Sequence, residues 1–405
     1  MDDQARAIGR RVRYWRLRRD LDRQQFAAMV GRSTSWLDKI EKGERNLLRL
    51  PMLDRVAEAL GVDPAALTDV ATARQAAGCV DAVEVETIRE ALSWYPSFAA
   101  RGSDHELTLD RVNEQLKYVD HAWLSSHFTV VVRHLPRLLR EAQTVAYVAH
   151  PADQIAASRT LVMAYRLASS VLLKFEANDV AWLAADRAMQ TALAVDDTLA
   201  LARATRSVAR SLTSTGQLTS AINAVIGMTD RMRPELGTGA DELLSLYGML
   251  HLASSIAAAK QEDTATALVM HEQAQAAAET LGPHHKMHQT FFGIANVRLH
   301  RIAALVRLHK PGQALEYARI IHPDSLSELP PERRVNYMLD VAAAYTGTGQ
   351  YVEAVRTLVE AERIAPEEVR CRPLSHGLLR TTLRNTSGDA GRAVQRMAFR
   401  AGVTA

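Results

Sequence analysis

Seven arginines fall between positions 6 and 19 (Arg6, Arg10, Arg11, Arg13, Arg16, Arg18 and Arg19), with no acid among them. A guanidinium grips a phosphate through paired, charge-assisted hydrogen bonds, so such a run is the footprint of a polyanion binder. A solvated basic helix has the same composition, and charge alone does not separate the two. A second arginine set, Arg203, Arg206 and Arg210, recurs at i, i+3 and i+7, which puts all three on one face of a helix. His284 and His288 have the spacing of a zinc-binding pair, but neither a carboxylate nor a third well-spaced ligand is near in sequence, and they read as surface histidines. Cys79 and Cys371 build no disulfide framework and sit in no metal-ligand spacing. No Walker loop, dinucleotide fingerprint or nucleophile elbow occurs, and Gly237–Ala240 reads as a loop between helices. The chain is expected to be no enzyme and to need neither cofactor nor metal.

The elements that position these residues follow from length and charge. At 405 residues the chain has room for two or three domains, or for one small domain on a long repeat array. Its net charge of +3 is concentrated. Residues 1–70 hold 14 Lys and Arg against 11 Asp and Glu, and the remainder is neutral. With 47% hydrophobic residues the chain folds. No uninterrupted apolar run reaches the roughly 18 residues of a membrane span, and the N-terminus lacks the apolar core of a signal peptide, so a cytoplasmic protein with no membrane partner is expected.

The basic segment reads as five short helices. Ile8, Val12 and either Trp15 or Leu17 recur at helical spacing. Asp22 is placed to cap a second helix from Arg23 to Val30, Gly31 permits a tight turn, and Ser33 caps a third helix that runs to Glu41 and stops at Gly43. A fourth helix spans Pro51 to Leu60, and Asp63-Pro64 opens a fifth. Phe26, Ala27, Val30, Leu37, Ile40, Val56 and Leu60 form the expected core.

The run RQQFAAMVGRSTSWLDKIEKGERN resembles the helix-turn-helix of the phage-repressor (Cro/xenobiotic-response-element) family through Gln25, Ala27, Gly31, Ser33, Leu37, Ile40, Glu41 and Gly43. Phe26, where Leu is usual, and the bulky Trp36 depart from the pattern. The resemblance implies that the third helix is a recognition helix entering the major groove. Arg32, Ser33, Thr34, Ser35, Trp36 and Lys39 would then lie at the bases. Lys39 suits guanine O6/N7, and Thr34 or Trp36 suits a thymine methyl. Arg23, Lys42, Arg45 and Asn46 fall where the family grips phosphates. Arg16 and Glu41 match a structural salt bridge.

Beyond residue 71 the texture turns Ala-rich and helical. The segment 342–366 (AAAYTGTGQYVEAVRTLVEAERIAP) resembles a tetratricopeptide repeat, with Tyr345, Gly349, Tyr351, Ala354, Leu358, Ala361 and Pro366 in place. Weaker copies place Ala221 and Val225, Ala267 and Ala274, and Ala314 and Ala318. Small residues let the two helices of a unit approach closely. Turns expected at Asp179, Gly216, Glu262, Gly312 and Gly349 give five tandem units, longer in the middle than the standard repeat of about 34 residues. An irregular helical bundle is the alternative.

The expected organisation is all-α: a five-helix DNA-binding head (1–70), a connector and bridging helix (71–95), an α-solenoid of tetratricopeptide-like hairpins (96–373) and capping helices (374–405). Registering the units places Arg203, Arg206 and Arg210 on the concave wall, with Asn296, Asn336 and Arg166. Arginines there suit a carboxylate or phosphate, and asparagines suit a peptide backbone. Salt bridges to Asp196, Asp197 or neighbouring units are the alternative. The layout resembles the peptide-sensing quorum regulators of Gram-positive bacteria. That implies a homodimeric transcription regulator that binds a double-stranded DNA operator and a small peptide or other anionic ligand. A scaffold whose array recruits a partner protein to DNA is the second reading.

Overall fold

The computed structural model describes residues 3–47, 50–69, 79–98, 107–237, 240–282 and 290–403, which hold 22 α-helices and no strand. The chain divides into two compact units, Met1–Glu86 and Thr87–Ala405.

The first unit holds α1 (Asp3–Arg18), α2 (Arg23–Met29), α3 (Thr34–Glu41), α4 (Leu50–Leu60) and α5 (Pro64–Thr68). Each start has a local cause. Asp22 and Gln25 cap α2 reciprocally, with Gln25 N donating to Asp22 Oδ1 at 2.8 Å and Asp22 N to Gln25 Oε1 at 3.0 Å. Ser33 Oγ accepts from Trp36 N at 3.2 Å, and Asp63 Oδ1 accepts from Ala65 N at 2.7 Å. The core contains all seven residues named above together with Ile8, Val12, Leu53 and Leu67. Trp15 takes the disputed inward position, and Leu17 faces solvent. Gly9 sets how closely α1 and α3 approach, because a Cβ there would lie 2.1 Å from the carbonyl oxygen of Ile40.

The boundary between the units falls inside α6 (Ala82–Leu92). Its first turn belongs to the first unit, where Asp81 and Glu84 cap each other and Arg18 Nε donates to Glu84 at 2.7 Å.

The second unit is a run of antiparallel hairpins. These are α7 (Leu109–Leu124) with α8 (Phe128–Val148), α9 (Gln154–Lys174) with α10 (Asn178–Val195), and α11 (Thr198–Ser214) with α12 (Leu218–Met232). They continue as α13 (Asp241–Lys260) with α14 (Thr264–Leu281), and α15 (Ile294–Arg307) with α16 (Pro311–Arg319). After the short α17 (Pro323–Ser327) come α18 (Pro331–Gly347) with α19 (Tyr351–Ile364). The short α20 (Pro366–Arg370) then leads to α21 (Pro373–Asn385) with α22 (Gly388–Ala401). The hairpin turns pass through left-handed backbone at Ser126, Glu176, Gly216, Glu262, His309 and Gly349, at spacings of 50, 40, 46, 47 and 40 residues. Two turns therefore lie three residues earlier than the sequence suggested. Asp179 and Gly312 sit in the first turns of α10 and α16, and Pro311 fixes the start of the latter. Of the alanines expected at the hairpin contacts, Ala221, Ala267, Ala274, Ala314, Ala354 and Ala361 are buried, and Ala318 is half-buried.

The first helices of successive hairpins pack against one another and form the inner wall. The array also closes on itself, with α18 packing against α7. Thr129 N donates to Glu367 at 2.9 Å and Ser126 Oγ to Glu368 at 3.1 Å. By length and composition α13 alone among the described helices could cross a membrane, but 78% of that stretch is buried within the protein.

Candidate functional site

In the first unit the N-terminal half of α3 is open. Arg32, Ser33, Thr34, Ser35 and Lys39 are exposed, while Leu37 and Ile40 anchor the opposite face in the core. Trp36 is half-buried, with the Arg32 guanidinium 6.0 Å from its ring centre. Beside it lies an open cleft of about 540 Å³ formed by Arg32, Trp36, Arg45, Asn46, Met52 and Arg55. Arg55 was not anticipated. It reaches this surface from α4, and no short motif carries it.

Behind α3 lies an ion-pair cluster. Glu41, whose side chain is only 1% exposed, accepts from Arg16 Nε at 2.6 Å and from Arg23 Nε at 3.2 Å. Lys42 pairs with Asp38 at 2.6 Å, and Arg23 lies 3.7 Å from the same carboxylate. Arg23 and Lys42 are thus partly engaged within the protein, whereas Lys39 is exposed. Much of the basic run serves the fold instead of facing outward. Arg11 donates to the Leu67 carbonyl at 2.8 Å, Arg18 is buried against Glu84, and Arg19 holds Asp81 and the Leu60 carbonyl.

In the second unit the inner wall lines an open cavity of about 340 Å³. Arg206, Arg210, Asn296 and Asn336 line it, whereas Arg166 and Arg203 do not. Those two sit with Arg206 and Arg333 around a smaller cavity of about 30 Å³, where Arg166 pairs with Asp120 and Arg203 with Glu242. The expectation that all three arginines of α11 share one open site is thereby corrected. Arg203 lies one turn earlier, opposite the start of α13, where Glu242 meets it. Asp196 and Asp197 take other partners, Arg231 and Arg159.

Seven cationic side chains line the large cavity against two carboxylates, Glu332 and Asp340, with Glu368 behind them as a third. Lys174 pairs with Glu332 at 2.9 Å and also with Glu368; Arg333 pairs with Glu332, Arg372 with Glu368, and Arg307 with Asp340. Arg206, Arg210 and Lys260 have no acidic partner among the described residues. Arg210 donates to Ser170 Oγ at 3.0 Å and Lys260 reaches the Thr213 carbonyl at 3.4 Å. Burial, reinforced by the charges of Arg333 and other arginines, pushes Arg210 down to about 10; burial together with Arg210 and Arg333 lowers Arg206 as well. Burial drops His300, on the same wall, to about 3, so it is neutral near pH 7. Asn336 is fully engaged, donating to Glu332 and accepting from Arg372 at 2.8 Å. Asn296 donates to the Phe291 carbonyl at 3.1 Å, and its buried Oδ1 has no partner.

The residues 283–289, which contain the His284–His288 cluster, lie outside the described residues. Among the described residues no His, Cys, Asp and Glu side chains gather as a metal site.

A family model described as a helix-turn-helix domain matches residues 7–70. No curated protein gives a significant match. Among solved structures the chain is similar to the crystal structure of Bacillus thuringiensis PlcR in complex with the peptide PapR7 and DNA. That similarity has 12% identity and a TM-score of 0.37, and covers 89% of this chain and 99% of that one. The chain is an all-α protein that carries a DNA-binding helix-turn-helix domain of the Cro/C1 type at residues 7–70.

Proposed function

We propose that the protein is a cytoplasmic, homodimeric transcription regulator that reads a duplex operator with its helix-turn-helix heads. In this reading the repeat cavity binds a small anionic ligand, a peptide carboxylate or another small anion, and its occupancy changes DNA affinity. The observation that carries the reading is the pairing, in one chain, of an exposed recognition helix with a cavity that holds three cations lacking acidic partners.

On DNA, Lys39 donates to guanine O6/N7 and Thr34 or Trp36 meets a thymine methyl, with Arg32, Ser33 and Ser35 alongside. Arg45, Asn46 and Arg55 hold phosphates. Arg23 and Lys42 join them only by exchanging contacts with Glu41 and Asp38, so their net contribution is smaller. An eight-residue recognition helix reads few base pairs, which favours two heads on half-sites about one helical turn apart. Coupling between two sites is typically about 1–3 kcal/mol, so ligand should shift operator affinity by roughly 5- to 150-fold.

Mapping bound DNA in cells tests this. The wild type should occupy discrete inverted repeats, and Lys39→Ala should lose them. The double variant Arg206→Ala, Arg210→Ala should keep them but no longer change occupancy with growth conditions. Wild-type occupancy without discrete sites would overturn the DNA-reading half, and an unchanged response in the double variant would overturn the sensing half.

A further inference from the structure

The cavity's charge balance narrows what it accepts. This step rests on reading the cavity as a ligand site. Seven cations against three carboxylates leave an excess of four positive charges in a space of about 340 Å³, at the small end for ligand pockets. Buried charges are ordinarily paired, and an unpaired one is costly. Here Arg206 and Arg210 make no ion pair among the described residues, Glu332 acting on both only at longer range, and Lys260, which also lines the cavity, is exposed and likewise unpaired. The buried Nε groups of Arg206, Arg333 and Arg372 also point donors that no acceptor meets. Among these donors one neutral acceptor stands unused, Asn296 Oδ1, whose orientation is fixed by the bond from its Nδ2 to Phe291; Glu332 Oε2, also without a hydrogen bond, is held in the ion pair with Arg333 at 3.1 Å. A short peptide with free ends adds a carboxylate and an ammonium, which leaves the excess as it was. A compact molecule with several negative charges and at least one hydroxyl matches both features. We propose that the cavity binds a multiply charged phosphate ester of a small polyol, its phosphates on Arg206, Arg210 and Lys260 and a hydroxyl donating to Asn296 Oδ1.

Isothermal titration of the full-length protein with sodium pyrophosphate, fructose 1,6-bisphosphate and a pool of free-ended heptapeptides tests this. Because the head also attracts polyanions, the cavity variant Arg210→Gln, Lys260→Gln is compared with the head variant Arg32→Ala, Arg45→Ala. The expected result is one saturable site per chain for each phosphate compound. The bisphosphate should bind more tightly than pyrophosphate, and affinity should fall at least about tenfold in the cavity variant and hold in the head variant. Loss in the head variant alone, or no saturable binding of either compound, overturns the proposal. Heptapeptides that bind through the cavity while phosphates do not would also overturn it, yet leave the ligand-responsive reading standing. Phosphate binding in the cavity with unchanged operator affinity would support the ligand class and refute the sensing role. A second measurement checks the premise. Arg206→Met removes an unpaired buried charge and should raise the ligand-free unfolding midpoint by about 2–4 °C, whereas a lowered midpoint would show that the charge is compensated.

Discussion

Replacing Glu41 by Ala should loosen the head from within. The carboxylate is 1% exposed and accepts from Arg16 at 2.6 and 3.3 Å and from Arg23 at 3.2 Å. Without it, the Arg16 guanidinium, itself 6% exposed, keeps only the Leu21 carbonyl at 2.6 Å. Removing one partner of a buried pair costs about 3–5 kcal/mol because the other charge stays buried and unpaired. Arg23 is 46% exposed and finds water, so it adds little. Small domains are stable by about 5–15 kcal/mol, and a head of this size belongs at the lower end, so the loss removes most of its stability. Amide hydrogen exchange in the full-length variant should show α1 to α5 exchanging about two to four orders of magnitude faster, with the repeat helices as an unchanged internal reference. DNA binding should weaken in parallel. An acceleration below about fivefold, equivalent to less than 1 kcal/mol, would refute the claim that this pair holds the recognition helix in place.

Lys39→Ala should cost about 1–3 kcal/mol at one operator position, whereas Arg45→Ala should weaken all sequences and shallow the salt dependence by about one unit; identical profiles in a binding titration would show the roles misassigned. Gly9→Ala should destabilise the head by at least about 1–3 kcal/mol, because its Cβ meets the Ile40 backbone at 2.1 Å; an unshifted melting transition of the head would contradict that packing. Burial holds His251 and His271 down at about 4 and His300 at about 3. The unfolded chain therefore binds up to three more protons than the folded one between roughly pH 6.5 and 4, and stability of the repeat unit, intact near neutrality, should fall as pH drops through that window. Denaturant midpoints that stay level from pH 7 to 4.5 would contradict the burial of these rings.

The head was legible because its signals are local. Asp22 and Ser33 cap within three residues, and a fixed register of small and apolar positions defines α2 and α3. The basic run was less legible, since composition does not reveal that Arg16, Arg18 and Arg19 find acids at positions 41, 84 and 81. The hairpins of the array follow from alanines at helical spacing. The closure of the array does not, because Lys174 meets Glu368 across 194 residues through the accumulated rotation of several hairpins. For the cavity, periodicity found Arg206 and Arg210. It missed Lys260 and Arg307, each in the last turn of an inner helix, where a cation reads as an ordinary helix-end charge. Register alone makes Asn336 a backbone clamp, but its amide is committed to Glu332 and Arg372, partners that register does not reveal.

Selection of duplexes from a random-sequence library by the full-length protein would show whether the exposed face of α3 reads base sequence. Enrichment of an inverted repeat is expected, its half-sites about one helical turn or a multiple apart, and Lys39→Ala should lose that enrichment. Recovery of no preferred sequence, or of the same sequences by wild type and Lys39→Ala, would contradict a recognition helix that reads DNA through this face.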